Sequence, residues 1–278
     1  MVRQFSIKNN KGQTYDLLDT KKVMFFEPEG LGYEEDTDYL KIGTTFNPLN
    51  ASCKQIQIKG DLIFAGSDPY RDYFDFVTFA RQAPLVLSYT TFDTFYLKVD
   101  IAGLGKTELT RARYLNVPVV FQARGIWYKN ESQYIEPITG EMPVYPYVYP
   151  DVYPPEALQA VFFNSNAVQE SPCKITIYGE AVNPVWRHYV NGKLIETGAY
   201  NGTIPVGHTL VIDSTTMPYS ITEYDGSGQV VADRYAGCDF STERFFMLQI
   251  GNNEVSVSHS GTDSIALKVE AQYRYESV

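Results

Sequence analysis

The chain has 278 residues, 44% of them hydrophobic, enough for one large domain or two ordinary ones and too many for disorder along most of its length. Its net charge of −10 leaves no basic excess to displace phosphate counterions, which argues against nonspecific nucleic-acid binding and assigns the acidity to solubility. Twenty-two tyrosines stand against two tryptophans, a bias that suits strands and partly wet interfaces because the tyrosine ring is apolar and its tip polar.

The chain opens on "RQFSIKNNKGQTYDLL", apolar and polar residues alternating around Asn9-Asn10-Lys11-Gly12, which predicts a hairpin. "CKQIQIKGDLIF" alternates again on Ile56, Ile58, Leu62 and Phe64. "PLVLSYTTFDTFYLKVDIAGL" supplies two more strands, and the segment 113–128 a further one. Between them "SDPYRDYFDFVTFARQAP" changes period. Ser67 or Asp68 can cap, Pro69 suits a first turn, and Tyr70, Tyr73, Phe74, Val77 and Ala80 recur at helical spacing. This predicts a helix over 69–82, ended by Ala83-Pro84. Its aromatic face suits core packing or an oligomer interface, and the spacing does not separate the two.

After Pro155 the pattern is almost purely β. "SPCKITIYGEAVNP" alternates on Cys173, Ile175 and Ile177, and "WRHYVNGKLIETGAY" carries the hairpin signal Asn191-Gly192. Turns are expected at Thr216-Met217-Pro218, at 225–228, at Gly251-Asn252-Asn253 and at Ser260-Gly261. Many short, evenly spaced strands indicate a β-sandwich or jelly roll. Between the halves, "PVYPYVYPDVYPP" (143–155) reads as a rigid joint, since prolines hold extended backbone while the tyrosines offer rings to bury.

The residues carry no catalytic pattern. His188, His208 and His259 stand far apart, without HExxH or HxH spacing, and read as exposed or hydrogen-bonded positions. "GLGKTEL" (103–109) lacks the GxxxxGK spacing of a phosphate loop and reads as a hairpin connection. Cys53, Cys173 and Cys238 form no CxxC pair and read as small buried hydrophobes, in keeping with assembly in a reducing cytoplasm. Glu27, Glu29, Glu34, Glu35, Asp36 and Asp38 cluster about a glycine-rich turn, a solvated rim or a surface awaiting a basic partner. Trp186, in "NPVWRHY", reads as a sandwich-core residue rather than a sugar platform. No catalytic, cofactor-binding or metal-binding residue is assigned, and no cofactor is expected. The first residues lack the apolar core of a signal peptide, and no apolar run approaches membrane-spanning length, so neither Sec secretion nor a membrane segment is expected.

Several segments, in order, resemble the distal tail protein (Dit) family of siphophages. "FFEPEGLGYEEDTDYLKIG" is similar to that family's early Pro-x-Gly-Leu-Gly loop. "LGKTELTRARYLNVPVVFQARGIWYKN" resembles the end of its first domain, closing on Trp127-Tyr128. "ITIYGEAVNPVWRHYVNGKLIETGAYNGTIPVGHTLVIDS" and "RFFMLQIGNNEVSV" resemble its C-terminal domain. The resemblance implies a mainly β chain. An N-terminal barrel- or sandwich-like domain with one helix (1–140) would form a homohexameric ring. A Pro/Tyr joint (141–155) and a C-terminal galectin-like β-sandwich (156–278) would follow. It implies a structural, non-enzymatic role at the tail tip or baseplate of a virion, or in a related headless tail-like particle. The ring would join the tail tube protein to the tail-associated hub and tape-measure proteins and anchor receptor-binding proteins. The galectin likeness concerns fold and carries over no sugar site. The alternative is a carbohydrate-binding module that takes host cell-wall saccharide on the sandwich.

Overall fold

The computed structural model describes residues 3–136, 159–261 and 265–278, with the side chain of Ala51 left out. The chain divides into two compact units, one of Met1–Lys129 with Arg274–Val278, the other of Asn130–Tyr273. The expected Pro/Tyr joint lies outside the described residues. Both units are mainly β, with one α-helix among the described residues.

In the first unit the antiparallel strands run in the order Thr14–Asp16, Gln4–Lys8, Leu85–Thr90, Thr94–Leu104, Leu115–Ala123, Gln57–Phe64, Val23–Glu29, Leu18–Asp19. The ladder does not close into a barrel. Single bonds through Leu17 bridge its two ends: Leu17 N donates to Phe5 O at 2.9 Å, and Phe25 N donates to Leu17 O at 2.6 Å. Alternation sends Phe5, Phe25, Leu62, Phe64, Phe121 and Trp127 into one core. The rings meet edge to face, Phe5 on Phe25 at 5.4 Å and Phe25 on Phe121 at 5.7 Å, the geometry their quadrupoles favour. The first hairpin turn forms as expected. Asn9 Oδ1 accepts Lys11 N and Gln13 N, and Gly12 takes the positive φ of 78° that the turn requires.

The helix spans Pro69–Ala80, two residues shorter than expected. Asp68 caps it, its Oδ1 accepting Arg71 N at 3.2 Å. The inward face differs from the one the periodicity suggested. Pro69, Phe76 and Phe79 are the buried residues, with Tyr73 and Ala80 packed beside them, whereas Tyr70 and Phe74 point outward. Phe76 supplies the contact that fixes this, meeting Phe64 at 5.8 Å and Tyr15 at 5.6 Å. In a segment this rich in aromatic rings two stripes fit a helical period, and the ring that reaches the sheet decides between them.

In the second unit one sheet runs Val230–Asp233, Ser220–Tyr224, Thr209–Asp213, Ser171–Tyr178, Leu267–Tyr275, and another runs Gln159–Ser165, Gly251–Ser258, Val185–Val190, Lys193–Ala199. Each turns alternate apolar residues inward, Ile175, Ile177, Leu210, Ile212 and Ile221 from the first, Val161, Trp186, Val255 and Val257 from the second. Trp186 is 0% exposed, as its core reading requires, and its Nε1 donates to Arg244 O at 3.0 Å. Its cross-strand partner is Gly198, where an added Cβ would lie 2.2 Å from that same nitrogen. The indole occupies the side-chain place of Gly198. Asn191-Gly192 makes the predicted turn with φ of 49° and 77°. The turn expected at Gly251-Asn252-Asn253 is different, because Gly251–Ser258 is strand and Asn253 is buried in it.

Candidate functional site

The described residues do not gather the three histidines. His188 stands in mid-strand, wholly buried, its Nε2 2.9 Å from Asn253 Oδ1 and its Nδ1 3.4 Å from Glu196 Oε2, with its ring stacked on Phe246 at 4.7 Å. Asn253 in turn accepts Gln249 N and donates to Gln249 O and Gly251 O. The tertiary fold makes this network. No local sequence signal marked it, since both strands carry other polar residues, Arg187 on one and Asn252, Glu254, Ser256 and Ser258 on the other. His208 Nδ1 lies 2.6 Å from Oε1 of buried Glu223, whose Oε2 accepts Arg234 Nε at 2.6 Å. Burial lifts the Glu223 carboxyl, but the bonds from His208 and Arg234 outweigh it and hold the group below the usual range. His259 lies beside the expected turn at Ser260-Gly261, where Nδ1 accepts Gly261 N at 3.3 Å. Among the described residues no group of three His, Cys, Asp or Glu side chains is placed to hold a metal ion.

The cysteines are free thiols. Cys173 and Cys238 are buried as expected, and burial pushes their thiols up to about 12 and about 11, which keeps them protonated and unreactive. Cys53 departs from the expectation and is only half-buried. The segment 105–114, which carries the Lys-Thr pair, connects the strands Thr94–Leu104 and Leu115–Ala123, as the hairpin reading required.

The most unusual surface is an arm. Among the described residues, strands Glu35–Ile42 and Thr45–Cys53 pair with each other and with no other strand. At about 3.4 Å per residue, an eight-residue strand spans roughly 27 Å. Of the arm residues whose side chains are described, only Thr37 and Cys53 are not exposed. Its exposed residues include Tyr39, Leu40, Ile42, Phe46 (61% exposed) and Leu49 (66%). Alternation places Asp36, Asp38, Leu40 and Ile42 on one face and Tyr39 and Lys41 on the other. Phe46 belongs to the second face, opposite Lys41, whose Nζ sits 5.7 Å from its ring. The acidic cluster is thereby divided. Glu34 pairs with Lys54 at 2.6 Å at the base of the arm, while Asp36 and Asp38 ride along it without an ion pair among the described residues. Glu29 and Glu34 line a polar pocket of about 330 Å³ with Lys54 and Lys59.

A smaller pocket, of about 220 Å³, lies in the second unit between Tyr219, Phe245 and Phe246 and the polar side chains of Glu170, Glu196 and Gln249. Burial pushes the Glu196 carboxyl up, and Glu243 and Glu170 add to that, against the pull of His188. No helix among the described residues is long and apolar enough to cross a membrane.

Residues 4–124 match the family model described as distal tail protein, N-terminal domain. Among solved structures, a chain of the phage P2 baseplate in its activated conformation with Ca aligns over 100% of both chains at 18% identity, with a TM-score of 0.69. The SPP1 Dit (gp 19.1) protein, described as a paradigm of the hub adsorption apparatus in phages infecting Gram-positive bacteria, aligns over 98% of this chain and 99% of its own at 9% identity, with a TM-score of 0.64. No curated protein matches the chain. At those identities the likeness shows a common fold over the full length, and the family match adds descent for the first unit. That match identifies residues 4–124 as a distal tail protein N-terminal domain.

Proposed function

We propose that the chain forms a closed homohexameric ring at the end of the tail tube, joining the tube protein to the hub and tape-measure proteins and offering host-attachment proteins an anchor. The first unit makes the ring. The arm supports this reading most directly. An isolated two-stranded hairpin is at best marginally stable in water, and an arm with apolar side chains on both faces needs a cover that the described residues do not supply. Ring symmetry repeats such a contact at every subunit. Light scattering on the purified chain is expected to give six times 31.5 kDa, or a multiple. A monomer that also fails to assemble with tail-tube protein overturns the reading.

The pocket at Tyr219 and Phe245 favours a second reading, in which the sandwich holds cell-wall saccharide. Aromatic faces can stack on a sugar ring while Glu170, Glu196 and Gln249 bond its hydroxyls. Binding of purified cell-wall saccharide that is lost in Phe245→Ala would support it; absence of binding to the wild-type chain would remove it.

A further inference from the structure

A head-to-tail ring joins two different surfaces of each subunit, because a contact that closes by rotation in one direction cannot pair a patch with itself. The arm offers one such surface. Its Asp36–Asp38–Leu40–Ile42 face is acidic towards the base and apolar towards the tip. The mating surface should be apolar and basic, exposed, and left uncovered by its own chain.

The outward face of the helix Pro69–Ala80 has that character. Tyr70 and Phe74, four residues apart and therefore one turn above each other, are 40% and 60% exposed. The segment 105–114 is tied beside them, since Tyr70 Oη donates to Glu108 Oε2 at 2.8 Å and accepts Leu109 N at 3.3 Å. That brings Leu109, itself exposed, into the same apolar patch. Cations stand at its rim, Lys106 Nζ 5.5 Å from the Tyr70 ring and the Arg71 guanidinium, which also pairs with Asp75 at 3.3 Å, 5.8 Å from the Phe74 ring. The segment 105–114 also carries Arg111 and Arg113, so three basic side chains oppose the single acid Glu108. Of the other exposed rings in the body of the first unit, Phe26 and Tyr33 stand beside Glu27 and Glu34, where an acidic strand would be repelled, and Phe92 stands beside Asp93, whose carboxylate is paired with Lys129.

We infer that the arm of one copy docks by its Asp36–Asp38–Leu40–Ile42 face on the Tyr70–Phe74–Leu109 platform of the next copy, with the two aspartates turned towards Lys106 and its basic neighbours. This rests on the ring reading and adds which two surfaces meet. The apolar half supplies the affinity, and the charges set direction and rate of encounter, so assembly slows in high salt. The arrangement also accounts for the exposure of the Phe74 ring on the outward face of the helix.

Two full-length variants test it by mixing. Leu40→Asp with Ile42→Asp spoils the arm, and Phe74→Asp with Leu109→Asp spoils the platform. All four positions are exposed, so both variants are expected to keep the wild-type circular dichroism. Each alone is expected to run as a monomer of 31.5 kDa. Mixed in equal amounts at high concentration, they are expected to pair at twice that mass and stop there. One intact arm meets one intact platform, and the remaining arm and platform are both spoiled and alike in charge. A ring from either variant alone overturns the docking, as does a mixture that stays monomeric. A monomeric wild type overturns the ring reading and the docking with it. As an independent measurement, Leu40→Cys with Phe74→Cys in a Cys53→Ser background is expected to oxidise to a covalent ladder ending at six copies. Either single cysteine gives only monomer on a denaturing gel, and a double variant without a ladder counts against the docking.

Discussion

The arm Glu35–Ile42 with Thr45–Cys53 and the hairpin Val185–Val190 with Lys193–Ala199 share one local design. Both are antiparallel pairs with one register irregularity, turned by a glycine at positive φ, Gly43 at 63° and Gly192 at 77°. They differ in what lies next to them. Val185–Val190 pairs on its other side with Gly251–Ser258, and Trp186 and His188 go to 0% exposure. Among the described residues the arm has no third strand, and its large apolar side chains stay exposed. Pairing is a local property that turn chemistry and alternation settle. Burial belongs to the neighbours a strand is given, and a hairpin without neighbours in its own chain is available to another chain.

The comparison breaks most visibly at the core ring. Trp186→Ala is expected to cost the second unit about 4 kcal/mol, through lost burial and the cavity left over Gly198, read as the midpoint of urea unfolding. An unchanged midpoint would mean that the indole is not the core of that hairpin.

A smaller effect separates buried from solvated acid. Glu223 is held below the usual carboxylate range by His208 and Arg234, whereas Asp36 and Asp38 of the arm have no ion pair among the described residues. A carboxyl lowered on folding adds stability above its ordinary titration range, and that stability is lost as pH falls through the folded value. Glu223→Gln is therefore expected to cost about 2 kcal/mol at pH 7. Its gap to wild type should close below about pH 4, in thermal melts run across that window. A gap independent of pH would assign the loss to packing.

The turns sharpen the comparison further. Gly43→Ala and Gly192→Ala each place a side chain at positive φ, at about 1 kcal/mol. In the second unit this should lower the melting temperature by about 3 °C. On the arm it should leave the melt alone and weaken assembly, followed by mass against dilution; equal melting shifts would mean that the arm is part of the folding unit. Smallest of all, Phe46→Ala is expected to change unfolding of the chain by less than about 0.5 kcal/mol, since a ring 61% exposed has little burial to lose.

Much of this was legible in the residues. Asn9–Gly12 and Asn191-Gly192 announced their turns because few residue types accept positive φ, and Cys173, Ile175 and Ile177 announced an inward face because side chains alternate along a strand. The cap at Asp68 and the first turn at Pro69 were legible for the same local reason. The inward stripe of the helix was not, because Tyr70, Tyr73, Phe74, Phe76 and Phe79 offer two apolar faces, and only the position of Phe64 and Tyr15 selects one. The His188–Asn253 pair escaped for a related reason, since 65 residues separate its members and the pairing of Val185–Val190 with Gly251–Ser258 brings them together. Of the candidate site, the acidic stretch 27–38 stood out as charge, but its division between a paired base and an exposed arm depended on the pairing of Glu35–Ile42 with Thr45–Cys53 alone. By itself, then, the sequence determined most of the turns and where the helix begins, because those follow from φ preference and period. The tertiary structure alone decided which apolar faces are covered and which are left for a partner, because burial depends on segments far apart in the chain.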